Sequence, residues 1–478
     1  MYLQRIVPAP RSFREDYGTR FTFGSSLTAR VSGLPPLMTE RAAYLWNRFS
    51  CGASALSMTD GVEGFSLTIG STDCALGNGD AYALKTDENG ICLRAKDEKS
   101  LMNGFTTLVQ LICPENLSDG GEKLYILSAE VHDSPAIPFR AVHICVFPES
   151  TIDGIAKAIS LAGFFGMTHV ILEFWGTIRY DCLTSLAWKD RSFAKDEIKP
   201  LIDLIRSYGM EPVPMINHFG HASQSRSCMG RHTVLNAEPR QSMLFEPDGW
   251  TWCLSNPDTY SLLADMRAEL CGLFGDGKYF HLGFDEAYSF ATCPKCRKRV
   301  PSELLAEYLN RLTEDLTKKG RRPIIWHDEL IRGDEFTEHD CPIVANGGSH
   351  DTAPALDLID KRIIIADWQY DYKSNFNPTT PYFTQKGFDT LVCPWDNREN
   401  VRSLTHSAKE NGAMGVIFTT WHHFPAFLRD AGYWGASAWC GDDQAPLSDT
   451  EAAALLRRIY DARGNFDLSG WNRNEVEQ

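Results

Sequence analysis

Tyr279-Phe280-His281-Leu282-Gly283-Phe284-Asp285-Glu286 is an apolar, β-prone run that stops abruptly in two adjacent carboxylates and is followed by a Ser/Thr/Cys-containing loop. It reads as a buried strand with an acid pair at its end. Successive strand residues face opposite sides, so one carboxylate is expected to aim at a bound molecule and the other at a neighbouring group. Two carboxyls held close together cannot both ionise freely, which pushes their proton affinities apart. The plainer alternative, Asp285 opening a loop and Glu286 in solvent, stands level with this until the flanking chain is read.

Working outward, the run is preceded by a helix-length amphipathic stretch, Pro257 to Leu273, and followed by another, Ser302 to Lys319. The same alternation extends from Pro138 to the end of the chain. Its apolar runs are Phe139–Val146, His169–Phe174, Pro212–Phe219, Tyr279–Phe284, Pro323–Trp326, Ile363–Trp368, Thr390–Trp395 and Gly415–Trp421. Further helices fit at Thr151 to Phe165, Glu197 to Tyr208 and Val401 to Gly412. Eight strands alternating with helices over about 340 residues predict a (β/α)8 TIM barrel with inserted loops. Residues 1 to about 135 differ. Short runs at Phe65–Ile69, Ala81–Leu84 and Gly90–Arg94, then helical spacing from Lys99 to Ile112, predict a small α+β accessory domain. The expected division is 1–135 accessory and 136–478 barrel.

Barrel enzymes carry their chemistry at the C-terminal strand ends. The predicted ends carry Glu173, His218 with His221, Asp285 with Glu286, Trp326 with His327 and Asp328, Trp368 with Tyr370, Trp395 with Asp396, and Trp421 with His422 and His423. One Trp at a rim is ordinary packing, but four on the rim of an acid pair suit the flat C–H face of a sugar ring.

At 478 residues with 43% hydrophobic and 23% charged content, the chain is expected to be globular and to hold more than one core. Net charge of -15 and the lack of a basic stripe argue against nucleic acid as partner. No apolar run approaches the roughly 20 residues of a membrane span, and no leader pattern is visible, so cytoplasmic residence is the expectation. The fourteen cysteines are scattered apart from Cys293-Pro-Lys-Cys296, as in a reducing compartment. That pair reads first as a plain loop, with no metal. Half of a zinc site, completed by Cys228 or Cys253, is the alternative.

His281-Leu-Gly-Phe-Asp285-Glu286 resembles the His-x-Gly-x-Asp-Glu signature of the glycoside hydrolase family 20 β-N-acetylhexosaminidases. Ile6-Val-Pro-Ala-Pro10 and Asn103 to Leu111 resemble that family's N-terminal domain, and Ile137-Pro-Phe-Arg140 the start of its barrel. Ile171-Leu-Glu-Phe174 and Asn217-His-Phe-Gly-His221 are similar to the compact hexosaminidase D-like members. The resemblance implies retaining exo-hydrolysis of terminal β-linked GlcNAc or GalNAc from a glycan or glycoconjugate, without cofactor. The sugar's own 2-acetamido oxygen would be the nucleophile, an exception to the two-carboxylate scheme. It implies Glu286 as general acid and base and Asp285 as the group that binds the acetamido N–H. Arg140 would hold ring hydroxyls, His221 would tune the acids, and Trp326, Trp368 and Trp421 would wall the acetamido methyl.

Three positions depart from the family pattern. Trp395-Asp396 stands where a Trp-Tyr is common, with Tyr370 as the substitute hydroxyl; Trp421-His422-His423 replaces a Trp-Gly-Glu; and Glu173 is the nearest carboxylate where an aspartate is usual. These affect the outer ring hydroxyls more than the reacting centre. Two other classes are weighed: a metal-dependent barrel hydrolase using the rim histidines, and a sugar-binding protein without turnover. The lack of a close His-x-His pair argues against the first, and the intact acid pair against the second.

Overall fold

The computed structural model describes residues 6–61, 63–70, 72–116, 122–187, 191–222, 233–336, 342–373, 377–421, 424–440 and 448–460. All eight anticipated barrel strands are present: β9 (Phe139–Val146), β10 (His169–Phe174), β11 (Glu211–Met215), β12 (Tyr279–His281), β13 (Arg322–Trp326), β14 (Ile364–Asp367), β15 (Thr390–Val392) and β16 (Gly415–Thr419). They pair in parallel in chain order, and β16 closes on β9. Inward side chains alternate along each strand, so Ala141, Ile171, Val213, Ile324, Ile364, Leu391 and Ile417 fill the barrel as a dry core. At its base Phe139 stacks on His169, with ring centroids 3.9 Å apart.

The anticipated helices flank the strands at Ile152–Phe164, Lys195–Ser207, Pro257–Phe274, Pro301–Thr317 and Arg398–Glu410. Their starts follow from local chemistry. Thr151 accepts from the Gly154 amide at 3.0 Å, and Asn256 caps a helix whose first residue, Pro257, has no amide to leave unpaired.

The first domain is an eight-stranded sheet. Its strands are β1 (Ser12–Phe23), β2 (Ser26–Ser32), β3 (Ala55–Asp60), β4 (Phe65–Gly70), β5 (Tyr82–Asp87), β6 (Gly90–Ala95), β7 (Ile112–Asn116) and β8 (Glu122–Asp133). They run in the order β1-β8-β5-β6-β4-β2-β3, with β7 also paired to β8. Helices Pro36–Phe49 and Glu98–Gln110 pack together beside this sheet. The first of them meets the barrel through Phe49, which stacks on Phe164 at 5.3 Å.

One expectation about the fold is corrected. β12 ends at His281, four residues before Asp285, and β11, β14, β15 and β16 also stop short of their apolar runs. The runs stay apolar beyond the strands because the loops that cap the barrel are themselves buried, as Phe219, Leu282 and Phe284 are. The acid pair therefore sits on a loop, and strand alternation does not aim it.

Candidate active site

That loop is shaped by left-handed backbone. Gly283, Phe284 and Glu286 have φ of 73°, 79° and 50°, and His221 on the facing loop has 50°. Phe284 and Glu286 bear a Cβ, so for them this conformation is costly and persists only where surroundings enforce it. The enforcement is visible. Asn217 Oδ1 accepts from the Phe219 and Phe284 amides at 3.0 and 3.1 Å, tying the loops after β11 and β12 together. A Cβ on Gly283 would lie 2.4 Å from the Asn217 side chain, and one on Gly220 would lie 2.1 Å from the Asp285 carbonyl oxygen. Only glycine permits this approach.

The two carboxylates converge instead of diverging. Asp285 Oδ1 accepts from the Asn217 amide nitrogen at 2.5 Å, and its Oδ2 lies 3.3 Å from His221 Nε2. Glu286 Oε2 lies 3.1 Å from the same nitrogen. Burial lowers the basicity of His221, but Asp285 and then Glu286 outweigh it and raise its pKa to about 10. At neutral pH its ring is a cation shared by both acids. One imidazole and two carboxylates within 4.8 Å also form a donor set for a divalent ion.

The walls are aromatic. Trp175 stacks on His221 at 5.4 Å, Trp250 packs against it at 4.6 Å, and Trp250 Nε1 donates to the Glu286 carbonyl at 2.6 Å. A second aromatic run, Trp368, Tyr370 and Trp395, follows at centroid spacings of 5.2 Å, and Trp421 Nε1 donates to the Tyr370 hydroxyl at 2.6 Å. Asp396 lies half-buried beside Trp395. His422 and His423 lie outside the described residues.

Three candidates sit elsewhere. Arg140, expected to hold ring hydroxyls, is buried at the opposite end of the barrel. Its guanidinium donates to the Ile137, Pro138 and Gly166 carbonyls and stacks over Trp439. It lies near the start of β9, whereas only strand C-termini reach the rim. Glu173 does not face a ligand either. It is buried with both oxygens taken, one by His143 Nε2 at 2.8 Å and the other by Trp175 Nε1 at 2.5 Å. Burial disfavours its charge, but these partners, His143 foremost, lower its pKa overall. It therefore orients Trp175, and through it His221. Trp326 has no exposed surface; it points into the barrel interior against His281 at 4.4 Å and Trp421 at 5.6 Å, forming a floor beneath the walls.

Sequence reading missed Asn217, His143, Trp175, Trp250 and the support from Asp328 and Glu329. Asn217 and Asp328 stood in quoted motifs without a role. Trp175, directly after β10, and Glu329, beside Asp328, were strand-end signals left unread, whereas Trp250 gave none because it reaches the site from a hairpin far from any strand end.

The family described as "Glycosyl hydrolase family 20, catalytic domain" matches residues 175–426, and "Glycosyl hydrolase family 20, domain 2" matches residues 3–134. The first match covers more than half of the chain. The chain belongs to glycosyl hydrolase family 20. Among its relatives, beta-hexosaminidase subunit A1 of Dictyostelium discoideum is 24% identical over 339 residues, 65% of this chain and 60% of that protein. Hexosaminidase D of Bos taurus is 20% identical over 290 residues, 57% of this chain and 81% of that protein. The chain thus spans about three-fifths of the first relative's length. A mutant Streptomyces plicatus beta-hexosaminidase solved in complex with product (GlcNAc) superposes with a TM-score of 0.68 at 16% identity, covering 98% of this chain and 97% of that one. That likeness is one of fold, and it extends the family 20 architecture over both domains.

Proposed function

We propose that this family 20 chain is a retaining exo-β-N-acetylhexosaminidase that removes terminal β-linked GlcNAc or GalNAc from glycans by substrate-assisted catalysis. The observation that carries this reading is the convergence of Asp285 and Glu286 on a single cationic histidine inside an indole-lined rim. A pure binding site has no use for two acids on one proton-bearing ring. In the first step the acetamido oxygen of the sugar attacks C1 while Glu286 delivers to the leaving oxygen the proton it shares with the His221 ring, 3.1 Å away. Asp285, fixed by Asn217 and His221, accepts the acetamido N–H and meets the positive charge that develops as the oxazolinium ring closes. Water then adds to C1 from the vacated side, returning a proton to Glu286 and breaking the C1–acyl oxygen bond. Two displacements retain the anomeric configuration.

Trp368 and Trp421 are assigned to the acetamido methyl and the Tyr370 hydroxyl to the acetamido oxygen, since these three side chains meet one another. Trp395 and Asp396 are assigned to the outer hydroxyls. Cytoplasmic residence belongs to the same proposal and rests on the dispersed thiols.

The test compares aryl β-GlcNAc and β-GalNAc with aryl β-glucoside, which lacks the acetamido group. Turnover restricted to the acetamido sugars, and lost in Glu286→Gln, is expected. Equal turnover of the glucoside would sink the substrate-assisted mechanism.

A further inference from the structure

Behind Trp250 lies a second cluster that the hydrolysis does not use. The loop after the acid pair carries Cys293-Pro-Lys-Cys296, and the hairpin bearing Trp250, whose strands meet at Phe245 and Trp252, carries Glu246 at one end and Cys253 just past the other. Folding brings these segments together. Cys253 Sγ lies 3.5 Å from Cys293 Sγ and 3.6 Å from Cys296 Sγ. One ligand atom from each of Glu246, Cys253, Cys293 and Cys296 falls within 4.8 Å of all the others, and all four residues are buried. Cys228, the other partner considered from sequence, lies outside the described residues.

Three buried thiols are by themselves ordinary apolar packing. The carboxylate is what packing does not explain. Glu246 is 1% exposed, and its Oε2 accepts from the Thr292 amide, the Thr292 hydroxyl and the Cys293 amide at 3.0, 3.1 and 2.6 Å. Its Oε1 is buried and has no hydrogen-bond partner among the described residues. A carboxylate oxygen turned toward three sulfurs is repelled by any thiolate there unless a cation stands between them. The sulfur spacing agrees. A disulfide needs about 2.0 Å, whereas sulfurs about 2.3 Å from a tetrahedral zinc stand about 3.8 Å apart. The turn also gives Cys293 a donor that suits a thiolate: the Cys296 amide donates to Cys293 Sγ at 3.2 Å.

We propose that Cys253, Cys293, Cys296 and the free oxygen of Glu246 bind one zinc ion. Thiolates select a soft or borderline metal, and zinc accepts three sulfurs and one oxygen in a tetrahedron. Binding releases the three thiol protons to solvent. With four protein ligands no position is open for water, so the ion is structural. It clamps the Trp250 hairpin to the Cys293–Cys296 loop, and so holds the indole that donates to the Glu286 carbonyl and packs on His221. This inference is independent of the proposed hydrolysis, and its readouts do not require turnover.

The full chain is produced in zinc-supplemented medium, desalted and analysed by elemental mass spectrometry. About one zinc per chain is expected, released in step with titration of its thiols by an organomercurial. The cobalt form should show thiolate-to-metal charge transfer and the red d–d bands of a tetrahedral site, both weakened in Glu246→Gln. A Cys253→Ser/Cys296→Ser variant should lose the metal, and stripping the wild type should lower its Tm. Clearly substoichiometric zinc in the wild type, a disulfide between two of the three cysteines, or full zinc retention by the double variant would each overturn the proposal. The wild-type measurements decide even if the double variant does not fold.

Discussion

Two Asp-Glu dipeptides follow consecutive barrel strands, Asp285-Glu286 after β12 and Asp328-Glu329 after β13, and the fold treats them in opposite ways. The first pair turns its carboxylates on a cationic histidine at the pocket. The second turns inward to hold the first pair's backbone: Asp328 Oδ2 accepts from the Glu286 amide at 3.0 Å, and Glu329 Oε1 from the Ala287 amide at 2.9 Å. Asp328 also accepts from the Trp368 indole at 3.1 Å and from Asn346 at 2.7 Å. Burial first, and Asp285 second, push Asp328 up to about 6; burial and then Asp328 push Glu329 up to about 8. The same two residue types make a reactive edge in one place and its scaffold in the other. What separates them is whether a cation or amide N–H groups complete the shell.

The largest effects should fall on the reactive pair. Glu286→Gln is expected to lower kcat on an aryl N-acetylhexosaminide by about 10²–10⁴, and Asp285→Asn by about 10²–10³, with Tm nearly unchanged. If Glu286→Gln left kcat intact, the comparison itself would be broken.

Asp328→Asn should show a scaffold failing. Both of its oxygens face donors, so whichever way the amide turns, its NH2 meets an N–H. We expect a loss of about 1–3 kcal/mol in denaturant unfolding, together with a fall in kcat as Glu286 and Trp368 lose their anchor. A fall in kcat without any loss of stability would move Asp328 to the reactive side.

Next is a pH effect. The His221 pKa is raised in the folded state from 6.5 to about 10, so its stabilising contribution is complete below 6.5 and is lost as pH rises through about 10. The Tm advantage of wild type over His221→Gln, followed by scanning calorimetry, should therefore shrink between pH 8 and 10.5, values chosen to bracket that loss. A constant gap would mean that the ring is neutral.

The smallest effect is expected at Glu329. A glutamine there can still accept from Ala287 with its oxygen and donate to Thr352 Oγ1, 3.0 Å from Glu329 Oε2, because that hydroxyl spends its own proton on the Glu329 carbonyl at 2.8 Å. Activity near pH 5 should be retained. The raised pKa of Glu329 means that wild type loses stability as pH climbs from about 4.5 through about 8. Glu329→Gln should flatten that slope, and an unchanged slope would assign it to another group.

The fold was legible because buried parallel strands are continuous apolar runs, and each of the eight was placed from its own residues. The long edge strand β1 was not, since its side chains are mostly exposed and carry Arg14, Glu15, Asp16 and Arg20, which mimics a loop. At the site, sequence located the acid pair but not its aim, which depends on the positive φ values and on Asn217, neither visible from residue type. Arg140 misled because the family resemblance alone brought it to the site, although its place near the start of β9 puts it at the end of the strand away from the rim. Trp326 misled differently, since a strand-end indole can line a pocket or floor it according to its depth in the barrel.

Arg140 has a further consequence. Its guanidinium lies over Trp439, the Trp439 indole donates to Asp133 at the end of β8, and Asp133 also accepts from the Tyr82 hydroxyl at 2.7 Å. The underside of the barrel is thus wired to the first sheet by a buried polar chain. Cutting the chain of residues between Asp133 and Phe139 would leave an indole N–H without its acceptor and open apolar surface on both sides. The barrel is therefore not a portable module: the two halves should melt in one calorimetric transition, and grafts or truncations at that seam should yield insoluble protein.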